Sequence, residues 1–119
     1  MDRKNIVFTC LDTQKHIENV NKLSYSITYH INIESCRDFI QSNDHQAIFL
    51  IISSLDIDLL LSNIELFKQV HSIFIFSSPD DRYKLVRDEN LNVIGFYHQF
   101  DSLVSSIDEE IVEYNKQFY

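Results

Sequence analysis

The chain has 119 residues, of which 45% are hydrophobic and 13% aromatic, and its formal net charge is −8. This composition predicts a single domain over 1–119 with one packed core and excludes a disordered chain. The acidic balance disfavours nucleic acid and anionic membrane surfaces as partners, because phosphate binding depends on Lys and Arg clusters. The two cysteines, Cys10 and Cys36, predict reduced thiols in a cytoplasmic protein. The first residues enter a strand-like segment without the long apolar region of a signal peptide.

Strand-like and helix-like patterns alternate along the chain. The stretch 46–54 is the most distinctive, because no polar side chain occurs between Ala47 and Ile52. It is too short to cross a membrane and too evenly apolar for a half-exposed strand, so it predicts a strand buried on both faces of a parallel sheet. The other predicted strands are 5–10, 24–31, 72–77 and 92–97. From capping residues and apolar stripes, the predicted helices are 12–23, 32–43, 54–70, 79–90 and 100–118.

Five strands alternating with five helices predict an α/β fold. Right-handed crossovers then give a three-layer, doubly wound parallel sheet with the flavodoxin-like strand order 2-1-3-4-5. This order places 46–54 at the centre of the sheet. The alternation of apolar and polar residues over 24–31 suits an edge strand and supports the same order.

Polar residues follow several predicted strands, at the edge of the sheet where folds of this kind bind ligands. The candidates for a crevice at this edge are Cys10, Asp12, Ser53, Ser54, Ser77 and His98. Cys10 has two interpretations, a thiolate stabilised beside a helix start or a small buried hydrophobe, and the second is the commoner case. A Ser-His-Asp arrangement could be drawn from Ser53, His98 and Asp12, but polar strand ends allow such a drawing in any doubly wound protein.

Over essentially the whole chain, this pattern resembles the receiver domains of two-component signalling. A receiver presents an acidic pair after its first strand, a phosphorylated Asp after its third, Ser or Thr after its fourth and Lys after its fifth. Asp12 corresponds to one of the acids and Ser77 to the hydroxyl, whereas Ser53 stands at the phosphoacceptor position and His98 at the lysine position. The resemblance therefore implies a pseudo-receiver without Mg²⁺ binding or aspartyl phosphorylation.

The strand order also resembles that of Toll/interleukin-receptor (TIR) domains. In their NAD-cleaving members a serine ends the third strand and a catalytic Glu follows on the next helix, and Ser53 and Glu65 have about this separation. The aromatic-cysteine pair that usually precedes this Glu is absent, because residues 62–64 are Ser-Asn-Ile. The chain is also short for the loops that hold a nucleotide. The alternative interpretation of Glu65 is a solvent-facing residue on a long helix.

The second half of the chain is similar to an uncharacterised α/β module that precedes tetratricopeptide or ADP-ribosyltransferase-like regions in some invertebrate proteins. The residues that carry this similarity are 50–53, 69–76, 92–96 and Leu103. The similarity implies a regulatory or scaffolding module.

The usual signatures of nucleotide and metal binding are missing from the sequence. Gly95 is the single glycine, and one glycine cannot build a GxGxxG or GxxxxGK(S/T) loop. The five histidines show no metal-ligand spacing with the cysteines, so we expect no metal site and no cofactor. A small-molecule sensor at Ser53, Ser77 and Asp12 is the weakest hypothesis.

The residues after position 80 combine aromatic side chains with charges of both signs. A basic cluster consists of Arg82, Lys84 and Arg87. The polar side of the last predicted helix carries Asp101, Asp108, Glu109, Glu110 and Glu113. Aromatic groups near opposite charges are typical of an interface, so the face formed by 80–119 predicts a homodimer or a contact with a protein partner. The interface candidates are Tyr83, Arg87, Tyr97 and Tyr114. The alternative is an ordinary solvated face.

Together these patterns predict a non-catalytic interaction or regulatory module with a receiver-like fold. The alternative hypothesis is a TIR-like NAD-cleaving enzyme that uses Glu65.

Overall fold

A computed structural model describes residues 4–17, 20–76 and 91–117. Its centre is a five-stranded sheet in the order β2-β1-β3-β4-β5, in which each pair of neighbouring strands is parallel. The strands are β1 (Ile6–Leu11), β2 (Ile27–His30), β3 (Ala47–Ser53), β4 (Ser72–Phe76) and β5 (Val93–Tyr97). The predicted flavodoxin-like α/β fold and its strand order are confirmed.

The central strand β3 is buried at all seven positions. Side chains alternate across the sheet, so Phe49 and Ile51 enter one core and Leu50 and Ile52 enter the other. Each of these side chains stabilises the fold by about 1.5–3 kcal/mol relative to an exposed position. Two cores of this kind explain why the sequence of β3 is apolar throughout.

The helices cover both faces of the sheet. Those of the described residues are α1 (Ile33–Ser42), α2 (Ile57–Ser62), α3 (Ile64–Phe67) and α4 (Phe100–Lys116). The helix α1 begins after Asn32, whose side chain accepts the backbone N–H of Ser35 at 2.8 Å. It packs with α2 and α3 in the core that contains Leu50, whereas α4 packs in the core that contains Phe49. Among the described residues, no helix is both long enough and apolar enough to span a membrane.

The helix predicted over 12–23 does not form in the described residues of that range. A short 3-10 turn at Val20–Lys22 is the helical element there. Lys15 has a φ of 54°, which an α-helix does not allow. The apolar residues of the predicted stripe are nevertheless buried: Ile17, Val20 and Leu23. The apolar pattern thus marked the buried positions correctly but assigned them the wrong local structure.

The single helix predicted over 54–70 is interrupted. A 3-10 turn at Ser54–Asp56 precedes α2, and Asn63 separates α2 from α3 with φ −131° and ψ 39°. The side-chain amide of Asn63 donates to the carbonyl of Leu59 at 2.8 Å. Asn favours such local bonds over a continuous helix, which accounts for the break.

The strand β2 forms one edge of the sheet, as predicted from its alternation. At the end of β2, the buried and exposed sides are the reverse of those predicted. His30, on the predicted polar side, is buried and packs against the ring of Phe39, while Ile31 is exposed. The helix predicted over 79–90 lies outside the described residues.

Candidate functional site

The carboxyl edge of the sheet contains a buried carboxylate at Asp12. It accepts the backbone N–H groups of His16 at 2.9 Å and Ile17 at 2.6 Å, and the hydroxyl of Tyr29 at 2.7 Å. A buried charge needs such donors, because removal from water is otherwise strongly unfavourable. The pKa of the Tyr29 phenol is raised above its ordinary value, chiefly by partial burial and further by the hydrogen bond to Asp12 and the charge of Asp12. Tyr29 therefore stays protonated. Asp12 thus holds the loop after β1 against β2.

A second buried carboxylate, Asp56, lies in the turn after β3. Its two oxygens accept the backbone N–H of Thr13 at 2.9 Å and the Thr13 hydroxyl at 2.5 Å. Asp56 is not among the site candidates from the sequence, so this contact was missed. The available signal was an acid three residues after Ser53, in the turn that leaves the central strand.

Ser53, at the end of β3, is fully buried. Its Oγ accepts the backbone N–H of Leu55 at 3.1 Å and lies 3.2 Å from Nδ1 of His16. The hydroxyl of Ser53 therefore has His16 as its side-chain partner, and His16 is not among the site candidates from the sequence. Ser54, another crevice candidate, is also buried and begins the 3-10 turn.

Cys10, at the carboxyl end of β1, is another candidate of this edge. Cys10 is fully buried, and burial, with a further contribution from the charge of Asp12, raises the pKa of its thiol far above the ordinary range. Cys10 is therefore a neutral thiol and not a stabilised thiolate.

His98 follows β5 and is exposed. Because β4 lies between β3 and β5, two strand spacings of about 4.8 Å separate the ends of those strands. The geometry thus pairs Ser53 with His16 and not with His98. Ser77 lies outside the described residues.

Glu65, the catalytic residue of the TIR-like hypothesis, lies on α3 with its side chain 89% exposed. Its carboxylate pairs with the ammonium group of Lys68 at 3.0 Å. The helix α3 leads into the amino end of β4, whereas Ser53 stands at the carboxyl end of β3. The topology therefore places Glu65 and Ser53 toward opposite edges of the sheet.

The other notable surface lies between the edge strand β5 and the helix α4. An open groove of about 610 Å³ runs there, which we call the β5–α4 groove. Its lining includes Ile94, Tyr97, Asp101, Ser105, Ser106 and Glu109. Tyr97 is thus the one interface candidate from the sequence that the described residues place at an open surface.

A β-bulge turns Ile94 toward this groove. Ile73 is paired with Val93 but Phe74 is paired with Gly95, so Ile94 is an extra residue in β5. Bulges at sheet edges redirect side chains. Val93 packs in one core, whereas Ile94 lines the groove and is 38% exposed.

The side chain of Tyr97 lies over Gly95, where a Cβ atom would be 2.5 Å from the tyrosine Oη. In this position the hydroxyl forms a hydrogen bond with the hydroxyl of Ser106 on α4. Burial raises the pKa of the Tyr97 phenol, the bond to Ser106 opposes that change, and the charges of Glu110 and Glu109 add to it. The absence of a side chain at Gly95 therefore allows the ring to join strand and helix.

Tyr114, another interface candidate, belongs to the core. It is 4% exposed, its ring packs edge-on against His71 at 5.1 Å, and its hydroxyl donates to the carbonyl of Lys4. We expected Tyr114 at an interface, but its side chain packs in the core instead. Tyr83 and Arg87 lie outside the described residues.

The exposed side of α4 is strongly acidic. Residues 91–117 contain five acidic residues and one lysine, Lys116, which pairs with Glu113 at 3.1 Å. Glu109 lines both the β5–α4 groove and an adjoining shallow cleft that contains Val112. Within the part of the chain that the structure describes, no cluster of three or more His, Cys, Asp or Glu side chains is arranged to hold a metal ion.

Comparison of the chain with protein-family models, with curated proteins and with solved structures gave no match. The functional interpretation therefore depends on the geometry of the two surfaces described above.

Proposed function

We propose that this protein is a non-catalytic interaction or regulatory module that binds a protein partner through β5 and α4. The observation that carries the proposal is a continuous open surface with two exposed aliphatic side chains, Ile94 at 38% and Val112 at 53%. Glu109 lies in both depressions and connects them. Single exposed aliphatic residues are common, but aliphatic side chains grouped along a groove with a polar rim are typical of interaction sites.

The carboxyl edge of the sheet supports the non-catalytic part of the proposal. Asp12 and Asp56 accept hydrogen bonds from the chain's own backbone and hydroxyl groups, and the Ser53 hydroxyl is buried. Folds of this type usually bind ligands at this edge. Here the polar groups of the edge stabilise the loop after β1.

The charge of the surface favours a different protein over a second copy as the partner. In a symmetric dimer, each copy presents the same patch to the other. Two copies joined through α4 would bring the acidic residues of one helix close to those of the other, which is unfavourable. A partner with positive charge avoids this repulsion.

Differential capture tests the proposal. Proteins retained from a cell extract by the immobilised full chain are compared with those retained by an Ile94→Lys variant and by a matched Leu55→Lys variant. Leu55 is 47% exposed but lies in the turn after β3. We expect Ile94→Lys to lose a retained protein that Leu55→Lys keeps. Equal retention by both variants, or loss only with Leu55→Lys, would contradict the proposal.

A further inference from the structure

We infer that the β5–α4 groove binds an extended basic segment of the partner, with an apolar residue against Ile94 and Tyr97 and a cationic residue on each side of it. This inference rests on the proposed function and specifies the chemistry of the ligand.

The lining of the groove provides three separate points of contact. Ile94 and the ring of Tyr97 form an apolar wall on the β5 side. Asp101 and Glu109 lie on α4, eight residues apart, which corresponds to about 12 Å along the helix. Ser105 lies between them and supplies a hydroxyl. The hydroxyl of Tyr97 is bonded to Ser106, which lies between the two acids on α4, so the apolar wall faces the middle of the carboxylate pair.

The distance between the two carboxylates determines which residues of an extended ligand can contact both of them. An extended chain advances about 3.3 Å per residue and directs alternate side chains to one side, so residues i, i+2 and i+4 share a face and span about 13 Å. Lys or Arg at i and i+4 would then face Asp101 and Glu109, and an apolar residue at i+2 would face Ile94. A ligand of the form Arg-x-Leu-x-Arg satisfies these conditions.

Charge complementarity selects this occupant over the alternatives. The chain carries a net charge of −8, and within residues 91–117 the single lysine is paired with Glu113. Polyanions are repelled by such a surface. The bulge at Ile94 also disfavours the addition of a partner strand to β5, because bulges interrupt the regular edge that strand pairing needs. Binding through side chains in the groove is therefore preferred to extension of the sheet.

A peptide titration tests the inference. The ¹⁵N-labelled full chain is titrated with the capped peptide Ser-Arg-Ser-Leu-Ser-Arg-Ser and with an isomer in which the two arginines are adjacent. We expect shift changes in residues 94–97 and 101–109, and binding of the isomer that is weaker by about tenfold. Glu109→Gln should weaken binding of the first peptide, whereas Glu34→Gln, at an exposed acid of α1, should leave it unchanged. Binding should also weaken at about 0.5 M NaCl, because salt screens exposed charges.

Several results would overturn the inference. These are an absence of shift changes, equal binding of the two peptides, or changes centred on Asp12, Ser53 and Asp56 at the ends of β1 and β3. Sedimentation that shows a dimer lost on Ile94→Lys would assign the groove to a second copy and would likewise overturn it. If the peptide fails to bind but Ile94→Lys still abolishes capture of a partner, the basic ligand is wrong and the proposed function stands. If capture is also unchanged, both are wrong.

Discussion

Tyr97 lies across Gly95 so closely that a Cβ atom at position 95 would be 2.5 Å from its hydroxyl oxygen. The one glycine of the chain is therefore located where a ring must pass over the backbone to reach Ser106. Without this arrangement, Tyr97 would leave the wall of the β5–α4 groove. The pair thus links one backbone position to the shape of the proposed binding surface.

Substitution Gly95→Ala should displace the ring of Tyr97 while the free energy of unfolding changes by no more than about 1 kcal/mol. Loss of a hydrogen bond is unfavourable by about 1 kcal/mol, and replacement of Gly by Ala in a strand recovers roughly 0.5–1 kcal/mol. The measurement is a double-mutant cycle between Tyr97→Phe and Ser106→Ala, followed by urea unfolding. A coupling of about 0.5–1.5 kcal/mol should be found in the wild type and should vanish with Gly95→Ala. Persistence of the coupling in that variant would contradict the expected displacement.

Substitution Asp56→Ala should destabilise the protein by about 1–3 kcal/mol, because it leaves the N–H and hydroxyl of Thr13 without their acceptor. The control is Asp38→Ala on the exposed side of α1, for which we expect a change within about 0.5 kcal/mol. Urea unfolding of both variants provides the measurement. Similar losses at the two positions would show that the Thr13 contacts contribute little.

Acidification should destabilise the protein through two histidines. Burial lowers the pKa of His30, whose Nδ1 lies 2.6 Å from the Ser35 hydroxyl and whose buried Nε2 has no partner among the described residues. Burial also lowers the pKa of His71, with opposing contributions from Glu110 and Lys4. In the unfolded chain a histidine binds a proton near pH 6.5, so between about pH 7 and 5.5 the unfolded state binds more protons than the folded one.

The free energy of unfolding should therefore fall as the pH decreases through this window, with a slope of at most about 1.4 kcal/mol per pH unit for each histidine. Urea unfolding at a series of pH values measures the slope. His30→Phe and His71→Phe should each reduce it, and the double variant should reduce it further. A stability that increases on acidification over the same range would contradict the assignment.

The TIR-like alternative has its own test. Incubation of the protein with NAD should give no nicotinamide above a protein-free blank, and Glu65→Ala should behave identically, because Glu65 is exposed and paired with Lys68. Chromatographic detection of nicotinamide is the measurement. Release by the wild type that is lost with Glu65→Ala would support the enzymatic alternative instead.

The sequence was sufficient for the fold because the decisive patterns are local. The apolar run of β3 reflects burial on both faces, and Asn32 before α1 supplies its cap within three residues. The contacts of the candidate sites are not local. Thr13 and Asp56 are separated by 43 positions, so their pairing cannot be inferred from either segment alone.

The shape of the β5–α4 groove was beyond sequence reasoning for a similar reason. The bulge at Ile94 depends on the register between β4 and β5. The neighbouring Gly95, an isolated glycine in a strand, was a signal for a bulge or a close backbone approach, but it does not specify which residue is the extra one. Of the two tyrosines predicted at an interface, Tyr97 lines an open groove, whereas Tyr114 lies in the core. An amphipathic pattern does not reveal which tyrosine packs against His71.

The most direct test of the proposed interaction surface is site-specific photo-crosslinking in the cells that make the protein. The full chain carries p-benzoylphenylalanine in place of either Ile94 or Leu55, two exposed aliphatic residues at different edges. We expect a protein adduct from position 94 that is lost when Glu109→Lys is added, and none from position 55. An adduct from position 55 alone, or equal adducts from both positions, would contradict an interaction through β5 and α4.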